Sequence, residues 1–189
     1  MNLPNKLTLM RIILVPFFVL FMLTEGIIPQ NYLWAAILFA AASITDLFDG
    51  RIARKRNIVT DFGKFLDPLA DKILVISALI CFVQLGWCAA WAAALITARE
   101  FAVSGVRLVA AGSEKKIVIA ANIWGKLKTA STMIAVSVII IMHIFVGLSV
   151  IDPTAFPVQL ISDVLIYISV LLTVVSGVKY IWDYREILK

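Results

Sequence analysis

Residues 32–84 read YLWAAILFAAASITDLFDGRIARKRNIVTDFGKFLDPLADKILVISALICFVQ. Two apolar runs, 32–50 and 65–84, flank a basic stretch containing Arg51, Arg54, Lys55, Arg56 and Lys64. Each approaches the roughly 20 residues a helix needs to cross the hydrocarbon core of a bilayer. A short segment, about Lys55 to Asp61, joins them, so the pattern predicts an antiparallel helical hairpin with its charged turn in water. Further apolar runs lie at 7–24, 87–110, 118–147 and 156–178, six in all. The expected fold is an all-α integral membrane bundle of six transmembrane helices, a single domain over residues 1–189.

Composition agrees: 62% of the 189 residues are hydrophobic and 15% charged, against roughly half and about a quarter in soluble domains. A chain this short cannot hide that excess in one core, which excludes a soluble globular domain and disorder alike. The first run holds Arg11 and Pro16 and lacks a small-residue cleavage site, so it reads as a span rather than a signal peptide. Asp152-Pro153 reads as the N-cap and first turn of the sixth helix. The first turns of the long fifth run, Ala120 to Thr129, are expected in the cytoplasmic aqueous zone. Cys81 and Cys88 lie in apolar stretches and read as small buried residues.

In a soluble protein a net charge of +5 would suggest nucleic acid; here it is an orientation signal, and no nucleic-acid partner is expected. With six spans, all 17 Lys and Arg residues fall on one side, and the connections near 25–31, 84–87 and 143–155 contain none. The positive-inside rule makes that side, and both termini, cytoplasmic.

Asp46, Asp49, Asp67 and Asp71 are costly at the ends of apolar runs, since an intramembrane carboxylate costs roughly 2.5–3.5 kcal/mol at a helix centre. Spacings of three and four put each pair on one helical face, and the hairpin lets the four converge. Like charges so close repel unless a cation sits among them, and all-oxygen ligation suits Mg²⁺ or Mn²⁺. Gly50 and Gly63 leave room for close approach, and Arg54 offers a fork of donors to phosphate oxygens. Together these groups describe a phosphoanhydride site.

Written out, the segment is Asp46-x2-Asp49-Gly50-x2-Ala53-Arg54-x8-Gly63-x3-Asp67-x3-Asp71. It resembles, at every defined position and spacing, the signature of the CDP-alcohol phosphotransferase family. The segments Asn2-Leu3-Pro4-Asn5-Lys6-Leu7-Thr8-x2-Arg11 and Thr97-Ala98-Arg99-Glu100 resemble, more narrowly, the bacterial branch that uses glycerol 3-phosphate and makes phosphatidylglycerophosphate. The resemblance implies that Asp46, Asp49, Asp67 and Asp71 hold two divalent ions on the diphosphate of CDP-diacylglycerol. It implies that Gly50, Ala53 and Arg54, with Asp49 and more weakly Thr8, line the nucleotide pocket, and that Asp71 is the general base. It also implies a homodimer, and a place in the bacterial inner membrane with the site facing the cytoplasm.

The acceptor side is read from the residues. Arg99 and Glu100 lie about a dozen residues into the fourth run, and Glu100, Ser104 and Arg107 recur at helical spacing as one polar stripe. Lys126 and Lys128 open the fifth run. An acceptor bearing its own phosphate needs such cations, so Arg99, Arg107 and Lys126 are assigned to the phosphate of glycerol 3-phosphate. The alternative is that Arg107, Lys126 and Lys128 enforce topology and meet anionic headgroups. Serine, inositol phosphate and phosphatidylglycerol are the other acceptors in view. Asp163 is expected to snorkel outward or pair across helices, and His143 to lie far from the carboxylates. Tyr32, Trp34, Trp87 and Trp91, and Tyr180, Trp182 and Tyr184, read as interface belts. The rival class is a divalent-cation transporter; against it, no inverted repeat is evident and the acids lie at one edge beside Arg54.

Overall fold

The computed structural model describes residues 3–56, 61–112 and 123–184, with side chains described within 6–45, 69–70, 72–107 and 123–183. Six helices follow one another: α1 (Leu3–Leu23), α2 (Asn31–Arg56), α3 (Asp61–Gln84), α4 (Ala90–Gly112), α5 (Ile123–Gly147) and α6 (Val158–Tyr184). They correspond one to one with the six apolar runs. α1 starts four residues ahead of its run, and α2 runs on through the basic stretch to Arg56. Hydropathy marks where a helix meets lipid, whereas backbone hydrogen bonding carries it on into water.

Among the described residues, α1 lies against α2 and α3, α6 against α4 and α5, and α5 bridges to α2 and α3. Phe18 of α1 meets Phe39 of α2 with ring centroids 5.8 Å apart, and Leu79, Phe82, Ile96, Ile139, Ile140 and Ile166 fill the centre. The outside is as apolar as the inside: Phe17, Ile80, Ile134, Leu160 and Leu171 are all exposed. By contrast Thr132, Ser162, Ser169, Thr173 and Ser176 are buried. Helices packing in lipid gain nothing by hiding leucine and much by bringing small residues together. All of these hydroxyls but that of Thr173, which has no partner among the described residues, are served within their own helices: Thr132 Oγ1 donates to Lys128 O at 3.0 Å, and Ser162 Oγ to Val158 O at 2.9 Å. This is the surface of a membrane protein.

Among the described residues, three segments are long and apolar enough to span on composition alone, Lys6–Leu23, Ile123–Gly147 and Val158–Asp183. α2, α3 and α4 carry ionisable residues within their length. The C-terminus of α3 closes in a Schellman motif, with Trp87 N donating to Phe82 O at 2.8 Å and Gly86 N to Val83 O at 3.2 Å. Gly86 takes the left-handed conformation that this turn requires, at φ 76°.

Two expectations are corrected. Asp152-Pro153 does not open α6, which begins at Val158. Instead Asp152 Oδ1 accepts from the amide and hydroxyl of Thr154 at 2.8 and 2.7 Å, an Asx turn outside the helix. These bonds hold the exposed Asp152 carboxyl below its usual range. Nor are Tyr32, Trp87 and Tyr180 belt residues, since all three are buried. Trp87 stacks on His143 with centroids 3.4 Å apart, and Tyr32 meets the Trp87 edge at 5.1 Å. Trp34, Trp91 and Trp182 are exposed as a belt requires, and the Tyr184 side chain lies outside the described residues. An aromatic at a span end can turn either way, and hydropathy does not say which. Cys81 and Cys88 are buried free thiols, as expected. Asp163 accepts from Gln159 Nε2 on its own helix at 3.2 Å, rather than from another helix.

Leu171, at the middle of α6, is 63% exposed. Leu171→Asp should raise the insertion free energy of α6 by about 2.5–3.5 kcal/mol. A translocon-insertion assay reads this directly; an unchanged value would mean that this face does not meet lipid.

Candidate active site

Contacts across the bundle sort its two ends. At one end, a cavity of about 330 Å³ is bordered by Glu25 and Tyr32 and by Gly147 of α5. At the other, the first half of α3, the second half of α4, the start of α5 and the end of α6 come together. The signature belongs to this second end. Asp46, Asp49, Gly50, Ala53 and Arg54 occupy the last turns of α2, and Gly63, Asp67 and Asp71 the first turns of α3. The helical backbone there gives each Asp pair a common face. The side chains of Asp46, Asp49, Arg54, Asp67 and Asp71, and those of Ala53 and the glycine positions, lie outside the described residues.

The next residue of α3, Lys72, is described. It lines an open cleft of about 520 Å³ between α3, α4 and α5, together with Arg99, Glu100, Ser104, Arg107 and Lys126. The three residues assigned from the sequence to an acceptor phosphate, Arg99, Arg107 and Lys126, therefore share one wall-to-wall space. Lys72 is the addition; it was readable only as a topology charge, although it follows Asp71 directly. Arg107 is exposed at the mouth, its guanidinium carbon 5.7 Å from the Tyr180 ring centroid, within the range of cation–π attraction. Lys126 is also exposed, whereas the Arg99 side chain is only 14% exposed.

Glu100, on the wall of this cleft, is shared between two cations. Its Oε1 accepts from Lys128 Nζ across to α5 and from Arg99 Nη1 at 3.4 Å on its own helix. The Lys128 side chain is 3% exposed, so it is an internal counter-ion and not a headgroup anchor, contrary to the alternative drawn from its position. Ser104 Oγ donates back to Glu100 O at 2.7 Å, which keeps the predicted polar stripe helical. Arg99 Nε is buried and has no partner among the described residues. A buried donor left over in this way is what an anion entering the cleft would satisfy.

Arg99 also borders a second space, an apolar groove of about 470 Å³ between α4 and α6, walled by Ala98, Ala102, Val174 and Ile181. One arginine thus separates a cleft lined by cations from a groove lined by aliphatics. Thr8, the weakest of the nucleotide candidates, is 1% exposed within α1, and Arg11 one turn on is 2% exposed. His143 lies at the opposite end against Trp87, far from the cleft, as expected.

Residues 1–175 match the family model described as CDP-alcohol phosphatidyltransferase. The chain is 46% identical over its full length to the CDP-diacylglycerol–glycerol-3-phosphate 3-phosphatidyltransferase of Bacillus subtilis (strain 168), covering 97% of that relative. It is 37% identical to the probable phosphatidylglycerophosphate synthase of Mycobacterium tuberculosis (strain H37Rv), over 95% of this chain and 80% of the relative. The Escherichia coli (strain K12) CDP-diacylglycerol–glycerol-3-phosphate 3-phosphatidyltransferase is 40% identical over 72% of this chain and 75% of its own. A family match over nearly the whole chain and a relative 46% identical from end to end of this chain agree: the chain belongs to the CDP-alcohol phosphatidyltransferase family and is an enzyme of that type.

Proposed function

We propose that the chain transfers the phosphatidyl group of CDP-diacylglycerol to glycerol 3-phosphate, yielding phosphatidylglycerophosphate and CMP. The observation that carries this reading is the single cleft in which Lys72, Arg99, Arg107 and Lys126 meet, one residue along α3 from Asp71. A neutral alcohol has no charge to set against Arg99, Arg107 and Lys126, whereas a phosphate dianion does. The names of the relatives support the same acceptor.

Asp71 takes the proton of the acceptor hydroxyl. The freed oxygen attacks the phosphorus that bears diacylglycerol, the bond from that phosphorus to the bridging oxygen breaks, and CMP leaves with the electron pair. Arg99 and Lys126 hold the acceptor phosphate so that its hydroxyl faces Asp71, and Arg107 closes the mouth. Gly50 and Ala53 keep the nucleotide pocket free of bulk, Arg54 donates to its phosphates, and Thr8 borders it. The donor set of Asp46, Asp49, Asp67 and Asp71, all hard oxygen on two adjoining helices, fits two Mg²⁺ or Mn²⁺ ions. Once bound, such ions neutralise the charge that builds as the anhydride breaks.

The enzyme is a single domain that crosses a bacterial inner membrane six times with both termini and the cleft at the cytoplasmic face. The absence of Lys and Arg from residues 24–30, 85–89 and 148–157 supports that orientation. It works as a homodimer, which cross-linking in native membranes tests.

Arg99→Ala should raise KM for glycerol 3-phosphate by about tenfold or more while KM for CDP-diacylglycerol stays within about twofold. Equal effects on both would remove Arg99 from the acceptor pocket. Serine, inositol phosphate and phosphatidylglycerol offered alongside should yield no product. Asp71→Asn should lower the rate of CMP release by roughly 10²–10⁴-fold at unchanged membrane yield; a near-normal rate would exclude it as the base. Chelation of divalent ions should abolish turnover, and added Mg²⁺ or Mn²⁺ should restore it; activity that survives chelation would refute the metal assignment.

A further inference from the structure

We propose that Glu100 and Gly177 are positioning residues that set the side chain of Arg99, and through it the preference for an acceptor that carries a phosphate. The inference rests on the reading of Arg99 as a ligand of that phosphate.

Arg99 belongs to α4, yet its course is determined by α5 and α6. Its Cγ passes so close to α6 that a Cβ built on Gly177 would meet it at 3.3 Å. Its Nη2 reaches the start of α5, 4.0 Å from where a Cβ on Gly125 would stand. The stem therefore runs in the gap that Gly177 leaves, and the guanidinium emerges at the cleft. A methyl group on Gly177 would push the stem by a few tenths of an ångström, away from α6 and into the space of the ligand.

Glu100 acts on the other end. Its carboxylate receives both Arg99 Nη1 and Lys128 Nζ. That single acid joins α4 to α5 and keeps the buried ammonium from repelling the guanidinium beside it. Nη1 is thereby committed to the protein, whereas Nε has no partner among the described residues. An arginine held at its stem and at one terminal nitrogen presents its remaining donors in a fixed plane, the geometry that bidentate phosphate recognition needs. Because the lost ordering would be felt only by the group that Arg99 binds, the nucleotide-lipid substrate should be indifferent to it.

The experiment is steady-state kinetics on Glu100→Gln, Gly177→Ala and each of these combined with Arg99→Ala, in proteoliposomes containing CDP-diacylglycerol. Glu100→Gln should raise KM for glycerol 3-phosphate about tenfold and Gly177→Ala roughly threefold, with kcat and KM for CDP-diacylglycerol within about twofold. In the Arg99→Ala background neither change should add anything, because the side chain they act through is gone. Additive losses, or equal increases for both substrates, would overturn the proposal in favour of a general structural role. Gly177→Ala alters no charge and decides alone if Glu100→Gln does not reach the membrane. Should Arg99→Ala leave KM for glycerol 3-phosphate unchanged, the acceptor-pocket reading and this inference fall together. Should it raise KM while Glu100→Gln and Gly177→Ala do not, only the inference falls.

Discussion

A polar group inside a bilayer-sized bundle has no water to turn to, and this constraint shapes the whole molecule. Buried serine hydroxyls answer it within their own helix, as Ser169 does by donating to Leu165 O at 3.1 Å, whereas the buried hydroxyl of Thr173 has no partner among the described residues. Charges cannot be satisfied that way. Lys128 is sunk in the bundle and meets Glu100 from the neighbouring helix; breaking such a pair on one side leaves an uncompensated buried charge, at a cost of about 3–5 kcal/mol in other proteins. The pair ties α4 to α5 at the depth where the cleft begins.

Beside that pair lies a cleft lined by basic side chains. Lys72, Arg99, Arg107 and Lys126 border one space, and Glu100 is the acid on its wall among the described residues. Arg107 and Lys126 are exposed at that cleft, and Arg99 is sunk behind them. Behind Arg99 the surroundings change within one side chain to the aliphatic groove between α4 and α6. A reaction that joins a water-soluble acceptor to a lipid needs such a border, and a single residue with an aliphatic stem and a charged head can form one.

Much of the site was legible before any coordinates. The signature from Asp46 to Asp71 depends on helical spacing, and its described residues, 46–56 and 61–71, are helical. Arg99, Arg107 and Lys126 drew notice as well, because ionisable residues in apolar runs are expensive, and all three border one cleft. Lys128 was not legible: it sits two residues from Lys126 with the same charge, and only its burial against Glu100 separates an internal counter-ion from a cleft cation. Tyr32 and Trp87 were misread for a related reason. Both lie at helix ends, where belt and core aromatics share the same sequence context.

Composition, run length and motif spacing determined, by themselves, the all-helical membrane class, the six helices found among the described residues and the family to which the signature belongs. These are properties of single helices, and a single helix is written in consecutive residues. Tertiary structure alone decided which helix faces meet: that α5 sends Lys128 to Glu100, that α6 leaves a gap at Gly177 for the stem of Arg99, and that Asp152 closes a turn outside α6. Those outcomes depend on contacts between residues 28 and 78 positions apart (Glu100 to Lys128, Arg99 to Gly177) or on a cap competing with a local turn. No periodicity within one segment records them.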